Sequence, residues 1–324
     1  MRFKVTTIAV LASVIIGLSS TANAAKVTLK LGNNAAPNHV YNVISNMYAK
    51  AVAEASKNEI EIKVFPADQL GNQRQLVEGA QLGTTDMVLT SDSMLSNFIP
   101  EFSVLNLPFI FRDIDHVGKV MDGPVGDHFK EVANKKGLVV LGWWENGFRS
   151  ITNSKHPINT VSDLKGLKLR VSPGKLAVTT FKTFGALATP MATGEVYSAL
   201  QLGTIDGQEN SASFVLGQKY YEVQKYLSIT RHQHNVEPLV ISKLVYKKLT
   251  PEQQKILQVE AKKLTPKARE LVIESDDKII SELRKHMEVN EVKNTSTFFN
   301  ASKPIYEKYE SQYGEIIKKI VETK

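Results

Sequence analysis

Gly166-Leu-Lys-Leu-Arg-Val171 places Leu167, Leu169 and Val171 at every second position. That two-residue period is the mark of a strand. Arg170 stands at its end, where a guanidinium presents a planar fork that a small carboxylate meets bidentately. Helix-period stretches follow at 175–184 and 195–202, and a strand is expected over 204–208. The same alternation precedes it. Val27–Leu31, Ile60–Phe65 and Met87–Leu89 read as strands, and His39–Ser56 and Gln73–Gly83 as helices. Leu138–Leu141 reads as a buried strand ending at Trp143-Trp144, and Val236–Ser242 as an apolar, β-branched strand returning toward the first series. Strand–helix repetition of this kind makes an α/β fold with largely parallel strands.

Residues 1–24 read as an export signal. Arg2 and Lys4 precede an apolar run from Val5 to Leu18, and Ala22-Asn-Ala24 has the small-x-small form of a cleavage site. The run is shorter than the roughly 20 residues that span a bilayer. Cleavage would remove two of the +7 formal charges and leave a 300-residue chain at +5, a size that suits two lobes. The chain has no cysteine. Its stability therefore rests on apolar cores, and thiol chemistry is excluded. The basic residues are scattered, without a run of five or interleaved aromatics, so nucleic acid is not an expected partner. A mildly positive field suits a small anion.

Near the C-terminus, Thr250-Pro-Glu-Gln253 has the form of a capping box with proline at the first helical position. The helix it opens carries an apolar stripe from Leu257 to Leu271 and a pattern that resumes to Leu283, and Pro266 is expected to kink or divide it. The phosphate-loop, dinucleotide, nucleophile-elbow and H-E-x-x-H motifs are missing, which leaves open an enzyme built on a carboxylate pair. His232 and His234 alternate on a strand and could face one metal ion, but no third histidine is near in sequence. Neither a metal nor a cofactor is expected.

Gly166–Arg170, Pro190–Tyr197 and Asp206–Asn210 together resemble the solute-binding proteins of tripartite ATP-independent periplasmic (TRAP) transporters, the DctP family. Pro66–Gly71, Asn146–Arg149 and Tyr220–Lys225 extend the resemblance from about Lys26 to the last helix. It implies a two-lobe fold with crossing hinge strands and a long helix over both lobes. The corresponding division is 25–147 plus about 236–275 for the first lobe and 148–235 plus about 276–324 for the second. It further implies a monomeric periplasmic receptor that delivers an organic acid to the membrane permease subunits of a TRAP transporter.

The same resemblance implies that Arg170 binds the ligand carboxylate and that Arg149 and Asn210 assist. Arg149 could instead pair with Glu145 or Glu209 and fix its loop. Asn34, His39, Gln73, Ser91 and Asp92 stand on loops after strands or at helix starts, where hydroxyl groups would be read; His39 and Asp92 could equally be helix caps. His234 is expected at the hinge side of the cleft. Sialate-binding relatives carry acidic residues where this chain has Gln73 and Ser91, and an aromatic where it has Thr193. A hexuronate or keto-gulonate is therefore expected ahead of sialate. Neither Arg74 nor Lys50 has a clear reason to face the cleft as partner for a second carboxylate, so C4-dicarboxylates rank lower too. From another class, a periplasmic enzyme acting on acidic sugars would need a base of perturbed pKa in the same cleft.

Overall fold

A computed structural model describes residues 26–324; the expected signal at 1–24 lies outside them. Among the described residues nine strands form one sheet: β1 (Val27–Gly32), β2 (Ile60–Phe65), β3 (Met87–Leu89), β4 (Leu138–Asn153), β5 (Lys168–Val171), β6 (Leu187–Pro190), β7 (Gly207–Ser211), β8 (Tyr226–Ser242) and β9 (Glu288–Glu291). Their spatial order is β2-β1-β3-β8-β4-β7-β5-β6, and β9 joins β8. The trios β2-β1-β3 and β7-β5-β6 are internally parallel. Between them run β4 and β8, long and antiparallel, each pairing with one trio. Each trio is the sheet of one lobe, and β4 and β8 are the strands that cross between lobes.

Side-chain alternation fills both faces of the sheet. In the first lobe Val88, Trp143 and Val240 turn into one core with Phe102 and Phe129, while Met87, Trp144 and Ile241 turn into another with Tyr41 and Tyr48. In the second lobe Ile151, Leu169 and Phe181 fill one core, and Val196, Val215 and Ile229 fill the other.

Several local expectations needed revision, among them the strand expected at Val236–Ser242, which begins at Tyr226. β4 does not end at Trp143-Trp144 but continues to Asn153, because Gly147, at φ +91°, sits in a bulge that bends the strand without turning it. The expected strand at 204–208 lies at Gly207–Ser211. Pro266 does not divide its helix: one helix runs from Pro251 to Leu283, opened by the Thr250/Gln253 capping box. Packing on both lobes outweighs the backbone hydrogen bond that proline removes. Leu257, Ala261 and Ala268 enter a first-lobe core, and Ile280 and Leu283 a second-lobe core.

The chain after 276 divides its packing differently from the sequence division. Phe298 of the Ser296–Glu322 helix packs in the second lobe, whereas Ile305, Ile316, Ile317 and Ile320 join a first-lobe core. This helix is bent at Tyr313, whose φ/ψ of −129°/21° is non-helical. Among the described residues no helix is long and apolar enough to cross a membrane.

Candidate functional site

A polar cleft lies where residues of both lobes and of the crossing strands converge. Its second-lobe wall carries Arg170, Ser172, Thr193 and Asn210; Asn34, Gln73 and Ser91 come from the first lobe. The crossing strands supply Asn146, Arg149, Asn235 and Glu237, and Phe214 adds an apolar face. The lobes touch directly. Asn34 Nδ2 donates to Thr193 Oγ1 at 2.7 Å, and Asn97 Nδ2 to the Pro173 carbonyl at 2.6 Å. The cleft is therefore closed over.

Arg170 lies in β5, beside Gln208 of β7 and Thr189 of β6. It is 2% exposed, and its Nε and Nη2 donate to the Met191 carbonyl at 3.0 and 2.7 Å. It has no carboxylate partner among the described residues; the carboxylate nearest in sequence, Asp163, accepts from the Asn159 and Thr160 amides. Burial lowers its pKa. A guanidinium stays protonated regardless, and a buried positive charge beside a cleft calls for an anion.

Arg149 is differently placed. Its Nε and Nη2 grip both carboxylate oxygens of Glu209, at 2.5 and 2.8 Å, and Nη2 also reaches the Glu209 carbonyl. Nη1 donates to Asn210 Oδ1 at 2.9 Å and Asn235 Oδ1 at 2.5 Å. Five hydrogens thus meet five acceptors. Of the alternatives left open by the sequence, the pairing with Glu209 is the one formed. Burial alone would raise the Glu209 pKa, but the charge and hydrogen bonds of Arg149, with His232 close by, hold it down to about 2.

Asn210 Oδ1 is taken by Arg149, Asn146 and the Ser211 amide, which leaves its Nδ2 donors without a protein partner. Opposite, Gln73 Nε2 donates to Asn34 Oδ1 at 3.2 Å, and Ser91 caps a short helix by accepting from the Met94 amide. The cleft is thus lined by amide and hydroxyl groups around one unpaired cation. Arg74 does not enter it; it lines an adjoining recess with Asp68 and Asn72 and pairs with Glu78 at 2.9 Å.

Three of the sequence candidates stand behind the lining. His39 is the N-cap of the Val40–Ala55 helix, accepting from the Tyr41 amide, and its Nε2 meets Ser213 Oγ at 3.1 Å. Asp92 accepts from Asn235, Ser93 and Val236, and so braces Asn235; burial raises its pKa to about 7. His234 is packed against Phe111 and Phe148, and burial drops its pKa to about 3. Its Nε2 is 3.2 Å from Glu145, but out of hydrogen-bond alignment. Burial raises the Glu145 pKa to about 8, against the pull of Arg269, whose Nε donates to Oε1 at 3.0 Å.

His232 faces Glu209 and Phe181, away from His234's surroundings. Among the described residues no group of three potential ligands is placed to hold a metal ion. Phe214 lines the cleft, Met191 contributes its carbonyl to Arg170, and Phe148 packs on the first-lobe core. The sequence reading passed over Glu237 as a cleft residue. Its signal was there: one carboxylate inside the otherwise apolar run Val236–Ser242.

The sequence pattern of bacterial extracellular solute-binding protein family 7, DctP, matches residues 31–312. The 2,3-diketo-L-gulonate-binding periplasmic protein YiaO of Escherichia coli K12 is 37% identical over 265 residues, 82% of this chain and 81% of its own. A TRAP periplasmic solute-binding protein of Polaromonas sp. JS666, solved with D-erythronate, superimposes with a TM-score of 0.90 at 38% identity, covering 92% of this chain and 99% of that one. One from Sulfitobacter sp. NAS-14.1, solved with β-D-galacturonate, gives 0.86 at 34% identity, covering 90% and 98%.

Proposed function

The chain belongs to DctP, family 7 of the bacterial extracellular solute-binding proteins, and on that premise we propose that it captures a polyhydroxylated monocarboxylate in the periplasm for a TRAP permease. One observation carries the ligand class. Arg170 is a buried cation with no carboxylate partner among the described residues, in a cleft whose lining is otherwise the neutral amides and hydroxyls of residues such as Asn34, Gln73, Ser91, Thr193 and Asn210, the Phe214 ring, the saturated Arg149 and the Glu237 carboxyl. One ligand carboxylate would satisfy it, and the neutral groups would read hydroxyls. A second carboxylate would find no free cation among the described lining residues, since Arg149 is saturated by Glu209, Asn210 and Asn235.

Binding stabilises the closed arrangement because only that state offers contacts from both lobes. A membrane partner would then read the closed surface. The receptor acts as a monomer and leaves its ligand unchanged.

A thermal-shift screen over D-glucuronate, D-galacturonate, L-gulonate, D-erythronate, succinate and sialate tests this. A sugar acid is expected to raise the melting temperature most, with succinate barely effective. A larger shift with succinate or sialate than with every sugar acid would overturn the ligand class. Chemical conversion of the bound acid on prolonged incubation would instead favour an enzyme.

A further inference from the structure

Glu237 lies two positions beyond Asn235 on β8 and shares its face, and both line the cleft. Val236 between them turns into the opposite core. The Glu237 side chain is 2% exposed and its Oε2 has no hydrogen-bond partner. The donors that might have served it are committed or misaligned. All five Arg149 hydrogens go to Glu209, Asn210 and Asn235. The Tyr41 hydroxyl faces the carboxyl group but is itself without a partner.

Burial pushes the Glu237 pKa well above its ordinary value; Asp92 and Glu145 push the same way, against Tyr41 and Arg149. A carboxyl that keeps its proton both donates and accepts, as a hydroxyl group does. It also spares an anionic ligand the repulsion of a second negative charge. A carboxylate facing the same pocket with no cation to spare would oppose the ligand that Arg170 attracts.

Resting on the reading of this cleft as a sugar-acid site, we propose that Glu237 is a specificity-determining residue that binds one hydroxyl group of the ligand directly. Arg170 and Asn210 hold the carboxylate end, and Glu237 selects acids hydroxylated at the position it meets. A partner matched by hydrogen bonds discriminates more steeply than an apolar wall, because the analogue lacking the hydroxyl leaves a buried polar group unpaired.

The test is calorimetric titration of wild type, Glu237→Gln, Glu237→Met and Glu237→Ala with D-glucuronate, D-galacturonate, L-gulonate and D-erythronate. Monodeoxy analogues of the tightest ligand follow. The Met and Ala variants are expected to lose at least about tenfold in affinity, and the Gln variant, which keeps a donor and an acceptor, no more than about threefold. One deoxy analogue should bind the Met variant at least as tightly as it binds wild type, since its missing hydroxyl leaves Glu237 unpaired in wild type alone. Wild-type affinity in the Met or Ala variant overturns the proposal while leaving the sugar-acid reading standing. Equal losses for every deoxy analogue would make Glu237 a structural group and overturn it as well. Failure of wild type to bind any of the four acids removes both. The Met variant preserves side-chain volume, and should it fail to fold, the Gln variant with the deoxy series decides: equal discrimination among analogues by Gln and wild type supports the contact, and discrimination by neither overturns it.

Discussion

The two arginines of the cleft illustrate how little residue type alone decides. Arg149 and Arg170 are both buried, yet one is neutralised by Glu209 and the other by no protein carboxylate among the described residues. Replacing Arg170 by lysine keeps the charge but loses the planar fork held against the Met191 carbonyl. Affinity for the tightest sugar acid is expected to fall at least about tenfold, or about 1.4 kcal/mol, with the apo melting temperature nearly unchanged. Calorimetry giving an affinity within about threefold of wild type would remove Arg170 as the carboxylate anchor. Glu209→Ala should behave oppositely: it strands Arg149 as an uncompensated buried charge and should destabilise the fold by about 3–5 kcal/mol. Chemical denaturation measures this, and a loss under about 1 kcal/mol would mean that Arg149 finds another partner. From sequence, Arg149 was legible as a cleft residue, but its partner was one of two, because Glu145 and Glu209 are both within reach of a loop drawn at that position. The bulge at Gly147 decides the matter by keeping Arg149 in a strand paired with β7.

At the scale of elements, the site depends on where backbones approach across the cleft. Gly174 precedes the Lys175–Thr183 helix with an ordinary φ of −99°, so a side chain is tolerated locally. A Cβ there would nevertheless stand 2.4 Å from Ser93 Oγ and 3.1 Å from the Ser93 carbonyl of the opposite lobe. Gly174→Val should leave the open fold intact and obstruct closure. Ligand affinity is expected to drop at least about tenfold while the apo melting temperature holds. In small-angle scattering, wild type should compact on saturation with the tightest ligand and the variant should not. Full compaction of the variant would mean that the Gly174–Ser93 approach does not limit closure. The periodic elements were readable because alternation is a local property: β2 and β3 fall where the pattern put them. The 16- and 17-residue crossing strands β4 and β8 were not. Glycine, polar and charged residues interrupt their patterns, and only burial between two lobes keeps such stretches extended.

For the whole molecule, burying ionisable groups around the crossing strands makes stability depend on pH in a definite sense. Burial raises Asp92 to about 7 and Glu145 to about 8, from ordinary values of 3.8 and 4.5. A carboxyl so raised contributes stability below its ordinary pKa and loses it as pH climbs through the folded value. His39 and His234 are lowered by burial from 6.5 to about 3, and Glu209 to about 2 against its burial. The histidines contribute above pH 6.5 and lose that as pH falls toward 3; Glu209 contributes above 4.5 and loses it toward 2. The apo melting temperature should therefore rise as pH is lowered from about 9 to 6.5, and fall steeply below about 4.5. Glu145→Gln should flatten the alkaline limb. A melting temperature that is level or rising between pH 6.5 and 9 would show that these carboxyls ionise freely in the fold.

Taken by itself, the sequence determined the α/β class, the positions of most short elements, the capping box of the long helix and the polar character of the cleft. Each of these follows from local periodicity, cap chemistry or residue type. It also marked Arg170, since a strand-end guanidinium needs no partner to be noticed. Tertiary structure alone decided that Arg149 is saturated and Arg170 is not, and that His39, Asp92 and His234 stand behind the cleft wall. It alone turned Glu237 into the cleft and kept the Pro251–Leu283 helix whole through Pro266. Those outcomes turn on which groups share a buried space. Burial sets both the protonation of a carboxyl and the worth of a hydrogen bond, and it is established only when strands distant in the chain pack together.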